Sequence, residues 1–298
     1  IADALEKRRI PFRIALFSSG RCVPLQLIDS VGPYAATAYE PLTKRCEVFG
    51  VHFMVSDVET AAFSILNELD EGTANRPAGA LAGQYLCFSN VHTTVMAHDD
   101  LGYRDILNGS AYTFPDGKPI AEYQKSHGFV KAERVAGPDF MVFRATMDGR
   151  IAHYFYGSTP ETIEKLEREL RRKYPGIRIA GMVSPPFRPE TEEEDAETIR
   201  RINASGAALI WIGLGAPKQE KWMAAHKGKL NGVMLGVGAG FNFYAGTVKR
   251  APLWIQKIGL EWLYRLFQDP KRLANRYLVT NARYIWYLIA ERLSGHKE

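Results

Sequence analysis

Ala208-Leu-Ile-Trp-Ile-Gly213-Leu-Gly215-Ala-Pro-Lys-Gln-Glu220 decides the fold class. Its apolar run shows no polar alternation, which suits a strand buried on both faces. Two glycines follow, and Pro217 stands where a helix begins, with Lys218, Gln219 and Glu220 in the first turn. Strand, glycine turn and helix start make one unit of a parallel α/β sheet. The pattern repeats outward in both directions. It predicts strands at 85–89, 111–114, 151–156, 177–181, 208–213 and 233–237, with a strand-like stretch at 47–53 before them. Helices are expected at 58–70, 93–107, 119–127, 139–147, 162–173, 192–204 and 218–226. The fold class is therefore α/β, a largely parallel sheet flanked by helices, and such sheets bind ligands beyond the carboxyl ends of their strands.

Six turns follow those strands and together would line a crevice. They hold Asn90 and His92, Pro115-Asp116-Gly117, Gly157-Ser158-Thr-Pro-Glu161, Ser184-Pro-Pro-Phe187, Gly213–Glu220, and Gly238-Ala-Gly240. Gly157 and Ser158 open a helix whose free amides suit a phosphate, although ordinary capping explains the same residues. Gly213 and Gly215 would let backbone approach a ligand. The stretch is neither a GxxxxGK[ST] phosphate loop nor a GxGxxG fingerprint. Asp116 is a turn residue on the plain reading and a general base at a strand end on the functional one. His92 is a second candidate base, set against the structural role that a lone histidine usually has. No Asp-x-Asp pair follows a strand, so no metal and no other cofactor is expected, and arginines would have to offset a leaving diphosphate.

The chain has 298 residues, 46% hydrophobic and 24% charged, and a net charge of +5. That charge is unevenly spread: from Lys249 onward ten lysines and arginines face four acids, leaving the rest near neutrality. Trp254, Trp262, Tyr277, Tyr284 and Trp286 are interleaved with them. A basic, aromatic, helical segment suits an anionic membrane surface, or else is a solvated face over an aromatic stripe. A nucleic-acid partner is not expected, because the body of the chain has no basic excess. No run reaches the roughly 18–20 apolar residues of a spanning helix. The N-terminus lacks a secretory apolar region, and three cysteines without pairing or metal spacing fit a reducing cytosol.

Several segments resemble one family when taken in order. They are Asn90, Pro115-Asp116-Gly117, Glu133-Arg134-Val-Ala-Gly137-Pro-Asp139, Tyr174-Pro-Gly176, Gly213-Leu-Gly-Ala-Pro-Lys-Gln-Glu-Lys-Trp222, Lys249-Arg250-Ala-Pro252, Gly259-Leu-Glu-Trp-Leu-Tyr-Arg265 and Asp269-Pro-Lys-Arg272. Between Cys46 and Tyr284 the sequence is similar to the WecG/TagA/CpsF glycosyltransferases. The resemblance implies a Rossmann-like core at 46–248 and a C-terminal appendage at 249–298 that closes the site and touches membrane. Residues 1–45 are left as an extension of unknown role. It also implies an inverting, metal-independent hexosyltransferase that moves a sugar from UDP to an undecaprenyl-diphosphate-linked acceptor in cell-surface glycan synthesis.

Carried over by position, Asp116 falls on the base. Asn90, Arg134 and Gln219 fall on the pocket, and Arg265, Arg272 and Arg276 on the appendage. The nucleotide is expected against Gly157, Ser158, Gly213, Gly215, Gln219 and Glu220. Glucose for exopolysaccharide is the donor sugar favoured by analogy, with N-acetylmannosamine or its uronic acid as the alternative. A non-catalytic membrane scaffold is the rival from another class. The expected location is the cytoplasmic face of the plasma membrane, and a homo-oligomer is compatible with the reading. Two departures stand out: Phe88 where many members have threonine, and Asn242 where many have aspartate.

Overall fold

The computed structural model describes residues 17–18, 21–22, 42–70, 78–147 and 149–294. Most of the segment 1–45 therefore lies outside the described residues, apart from residues 42–45 and a short antiparallel pair, β1 (Phe17–Ser18) and β2 (Arg21–Cys22). The expected strand at 47–53 is instead a hairpin of β3 (Arg45–Val48) and β4 (Val51–Met54). Phe49 and Gly50 turn the chain with φ of 51° and 85°, the doubly left-handed geometry that matches strand twist in a tight hairpin. Helix α1 (Val58–Asp70) follows as expected.

Six parallel strands form the main sheet: β5 (Tyr85–Ser89), β6 (Tyr112–Pro115), β7 (Ala152–Gly157), β8 (Arg178–Val183), β9 (Leu209–Gly213) and β10 (Val233–Gly236). Their spatial order is β6-β5-β10-β9-β7-β8, and every pairing is parallel. The unbroken apolar strands follow from this, because both faces of the sheet are covered. In β9, Leu209 and Trp211 pack into one core with Phe88, Phe114 and Phe155, while Ile210 and Ile212 pack into the opposite core with Tyr85, Tyr154 and Met234.

Two helix expectations are corrected. The stretch 93–107 is two helices, α2 (Val91–Asp99) and α3 (Leu101–Asn108), broken at Asp100. Asp100 is extended there, and its carboxylate accepts from the Tyr103 backbone N–H at 3.2 Å, capping a new helix rather than continuing the old one. The stretch 139–147 is a five-residue helix, α5 (Gly137–Met141), and a 3₁₀ turn at Arg144–Met147, joined where the Thr146 hydroxyl bonds back to the Phe143 carbonyl. The remaining helices stand near their expected places: α4 (Lys118–Ser126), α6 (Pro160–Lys173), α7 (Glu192–Ala204) and α8 (Lys218–Ala225).

After β10 come α9 (Gly240–Tyr244) and then the basic segment, which is helical throughout most of its length: α10 (Leu253–Lys257), α11 (Glu261–Gln268) and α12 (Pro270–Ser294). Helix α12 lies along α2. Its Tyr287 ring sits 4.2 Å from that of His98, its Arg283 pairs with Asp99 at 2.6 Å, and its Tyr284 ring packs edge-on against Phe49. The appendage is thus docked on the core. Among the described residues no helix is long and apolar enough to cross a membrane.

Candidate active site

A cavity of 590 Å³ opens at the carboxyl edge of the sheet. Five of the six turns reach it, contributing Asn90 and His92, Asp116 and Lys118, Ser158, Gly213–Gln219, and Gly236–Ala239. The sixth expectation is corrected: Ser184–Phe187 follow β8, an edge strand, and do not line the cavity. The appendage forms the facing wall through Arg250, Gln256, Glu261, Arg265, Arg272 and Arg276. Seven lysine and arginine side chains and two carboxylates line the space, so it favours an anionic ligand.

Asp116 stands one residue beyond β6. Its N–H donates to the Ser89 carbonyl at 2.9 Å, extending the β5–β6 ladder by one bond and fixing the carboxylate at the cavity wall. Burial pushes its pKa up from the usual carboxylate range to about 7; Glu261 and Asp139 add to that rise, while Arg134 and Arg250 oppose it. A carboxylate poised near neutrality suits proton abstraction. His92 lines the same cavity, but burial, followed by the nearby Arg276 charge, pulls its pKa down to about 4. It is neutral at pH 7 and presents no cation there.

Arg134 and Arg250 do not point free charges at the cavity. Arg134 donates to Glu261 Oε2 at 2.7 Å, to Asp139 Oδ2 at 2.6 Å and to Gln256 Oε1 at 3.2 Å. Arg250 grips both Asp139 oxygens, one of them at 2.9 Å, and approaches Glu261 at 3.5 Å. Two cations and two anions therefore cancel in one partly buried cluster that ties the appendage to the loop before α5. Burial disfavours the Arg134 charge, but Asp116, Asp139 and Glu261 outweigh it and raise its pKa. Asp139, Arg250 and Glu261 were not singled out as site residues from the sequence, though all three sit inside the motif segments.

Cationic character outside this cluster comes from Lys118 and Lys218 and, on α11 and α12, from Arg265, Arg272 and Arg276. Arg276 is partly buried, its Nε has no hydrogen-bond partner, and burial lowers its pKa. Arg265 lies over the Phe243 ring at 5.4 Å. Arg272 is exposed at the rim and pairs with Asp269 of its own turn.

Gln219 and Asn90 play more structural parts than expected. Gln219 is 3% exposed, and its Oε1 accepts from the N–H groups of Gly215 and Gly238 at 3.2 and 3.0 Å. Its Nε2 donates to Glu220 at 2.8 Å and to the Gly236 carbonyl at 3.1 Å. The amide is saturated, clamping the β9 turn to the β10 turn. Asn90 caps α2, with Oδ1 accepting from His92 N–H at 3.0 Å and Thr93 N–H at 3.4 Å. Its Nδ2 makes no bond among the described residues, and the side chain lines the cavity. Phe88, at the threonine position, packs against Phe114 and Phe140, and the nearby hydroxyls of Ser89 and Thr93 bond to each other at 2.7 Å.

The expected glycine roles divide. A Cβ on Gly157 would meet the Gly213 backbone at 2.6 Å, and one on Gly213 would meet the Phe241 ring at 2.6 Å, so both glycines serve strand and helix packing. Gly157 does not line the cavity, and neither does Glu220, which is 1% exposed beneath it. Gly215, with φ of 78° and open space at its Cβ position, is the one of the three that leaves room for a ligand. Ser158 holds a φ of 62°, a strained value for a non-glycine residue, beside the cavity it lines. Among the described residues no three His, Cys, Asp or Glu side chains gather in a way that would hold a metal ion.

Fold and cavity together define a Rossmann-like α/β protein with a cavity at the carboxyl edge of its sheet, walled on one side by basic residues of the C-terminal segment. Residues 46–298 match the sequence pattern of the Glycosyl transferase WecG/TagA/CpsF family, and the chain belongs to it. It is a glycosyltransferase of lipid-linked polysaccharide synthesis, with a sugar donor and a lipid-linked acceptor as its partners in general terms.

Proposed function

We propose that the protein transfers a hexose from UDP to a sugar carried on undecaprenyl diphosphate, with inversion and without a metal, and that Asp116 is the base. The observation that carries this reading is a carboxylate with a pKa of about 7 in a cavity lined by seven cations. Asp116 takes the proton from an acceptor hydroxyl. The freed oxygen bonds the anomeric carbon as the carbon–oxygen bond to UDP breaks on the opposite face, giving a β product from an α donor. The diphosphate leaves toward Arg265, Arg272 and Arg276, whose charge offsets the negative charge that develops on it. The donor favoured is UDP-glucose for exopolysaccharide, and N-acetylmannosamine or its uronic acid is the alternative.

The acceptor's lipid requires a membrane, and the appendage presents a surface for one. Eleven of the fourteen exposed large apolar side chains among the described residues lie between Leu253 and Leu293. On α12, Leu278, Ile285, Trp286, Ile289 and Leu293 recur at helical spacing on the side away from the core. This surface supports the reading of peripheral binding, which we assign to the cytoplasmic face. The test is a donor screen with a short-chain lipid-diphosphate acceptor, offering UDP-glucose, UDP-N-acetylmannosamine and its uronate, each with and without chelator. Transfer from one donor that survives chelation supports the reading; no transfer from any donor in detergent or vesicles sinks it and favours a scaffold.

A further inference from the structure

Arg134 and Arg250 pose a difficulty for a base at Asp116. Two unneutralised guanidinium groups beside a carboxylate stabilise its charge and make it a poor proton acceptor. Both are neutralised here by Asp139 and Glu261, through contacts of 2.6 Å, 2.7 Å and 2.9 Å and a longer one at 3.5 Å. All four side chains are largely buried, with Arg134, Arg250 and Glu261 about one-fifth exposed and Asp139 32% exposed, so their charges are poorly screened by solvent.

We infer that Asp139 and Glu261 are positioning residues that hold Arg134 and Arg250 in place and cancel their charge, so that Asp116 keeps its affinity for the acceptor's proton. This rests on Asp116 being the base, as proposed above. Asp116, Arg134, Arg250 and Glu261 line one cavity, and Asp139 is bonded to both arginines. Arg134 and Asp139 come from the loop and helix after α4, Arg250 from the stretch before α10, and Glu261 from the start of α11. Two of the four belong to the appendage, so a docked appendage completes the charge balance around the base. Arg134 retains N–H groups beyond those used in its pairs, which leaves it able to donate to a substrate oxygen while staying neutralised.

The sign of the response separates charge balance from mere scaffolding. Removing an anion should lower the Asp116 pKa, and removing a cation should raise it. Loosening the cavity would hydrate Asp116 and lower its pKa in every variant, because burial is the largest cause of its elevation. The experiment is a carboxyl ¹³C NMR titration of Asp116, assigned by its loss in Asp116→Asn, alongside the pH dependence of transfer. The expected result is a midpoint about one unit lower in Asp139→Asn and Glu261→Gln, and about one unit higher in Arg134→Gln and Arg250→Gln. Four shifts in the same direction, or none, would overturn the inference. A carboxyl titration that moves as stated while the acid limb of transfer stays fixed would overturn Asp116 as the base and leave the charge balance intact.

Discussion

At the scale of single residues, Asp116 carries the sharpest consequences. Asp116→Asn should lower transfer by about 10²–10⁴-fold, the usual worth of a positioned general base, with folding unchanged by circular dichroism. Transfer by the native protein should rise as pH climbs through about 7, because the base works only when deprotonated. Stability should run the other way. Its folded pKa lies above the unfolded value near 3.8, so the native state binds the proton more tightly, and stability falls as pH rises from about 4 to about 7. Asp116→Asn should therefore raise the Tm at pH 8 relative to the native protein, and the gain should shrink at pH 4. An equal change at both pH values in a thermal scan would count against the raised pKa.

At the scale of elements, the turns after β7 and β9 are a matched pair. Gly157 and Gly213 sit side by side at the strand ends, and Gln219 fastens the second turn to the one after β10. Gly157→Ala would drive a Cβ into the Gly213 backbone at a φ of 134°, a conformation that alanine rarely adopts. A loss of about 3 kcal/mol or more is expected in urea denaturation. Gly215→Ala meets open space and has only its φ of 78° against it, so about 1 kcal/mol is expected. A reversed order would mean that the β7–β9 contact is not as tight as described. Gly215→Ala should instead weaken UDP binding more than Gly157→Ala does once each protein is folded, since only Gly215 lines the cavity.

At the scale of the whole molecule, α12 has two faces of different exposure, and the proposed membrane contact belongs to the outer one. Leu273, Thr280 and Tyr284 are buried against the core, whereas Leu278, Trp286 and Ile289 face outward. Leu278→Ser, Trp286→Ser and Ile289→Ser combined should reduce sedimentation with anionic vesicles at least about tenfold, since each buried apolar side chain contributes about 1.5–3 kcal/mol. The Tm should hardly move, because none of the three packs on the core. Vesicle binding that survives this triple change would place the membrane contact elsewhere.

The sequence by itself determined the parallel α/β sheet, most helix positions, the family and the basic character of the appendage. These are local matters: unbroken apolar strands, helical spacing, capping residues and motif identity are all written along the chain. The place of Asp116, Asn90 and Arg134 at the cavity was legible because each follows a strand or sits in a distinctive motif. Tertiary structure alone decided the rest. Glu47 to Phe53 read as one strand because the left-handed turn falls on Phe49, a residue type that gives no warning of it. Gly157 and Gly213 read as ligand loops because only packing reveals that each Cβ position is already filled. The cluster of Arg134, Asp139, Arg250 and Glu261 joins residues more than a hundred positions apart. Charge balance around Asp116 depends on distances in space, and spacing along the chain carries no record of them.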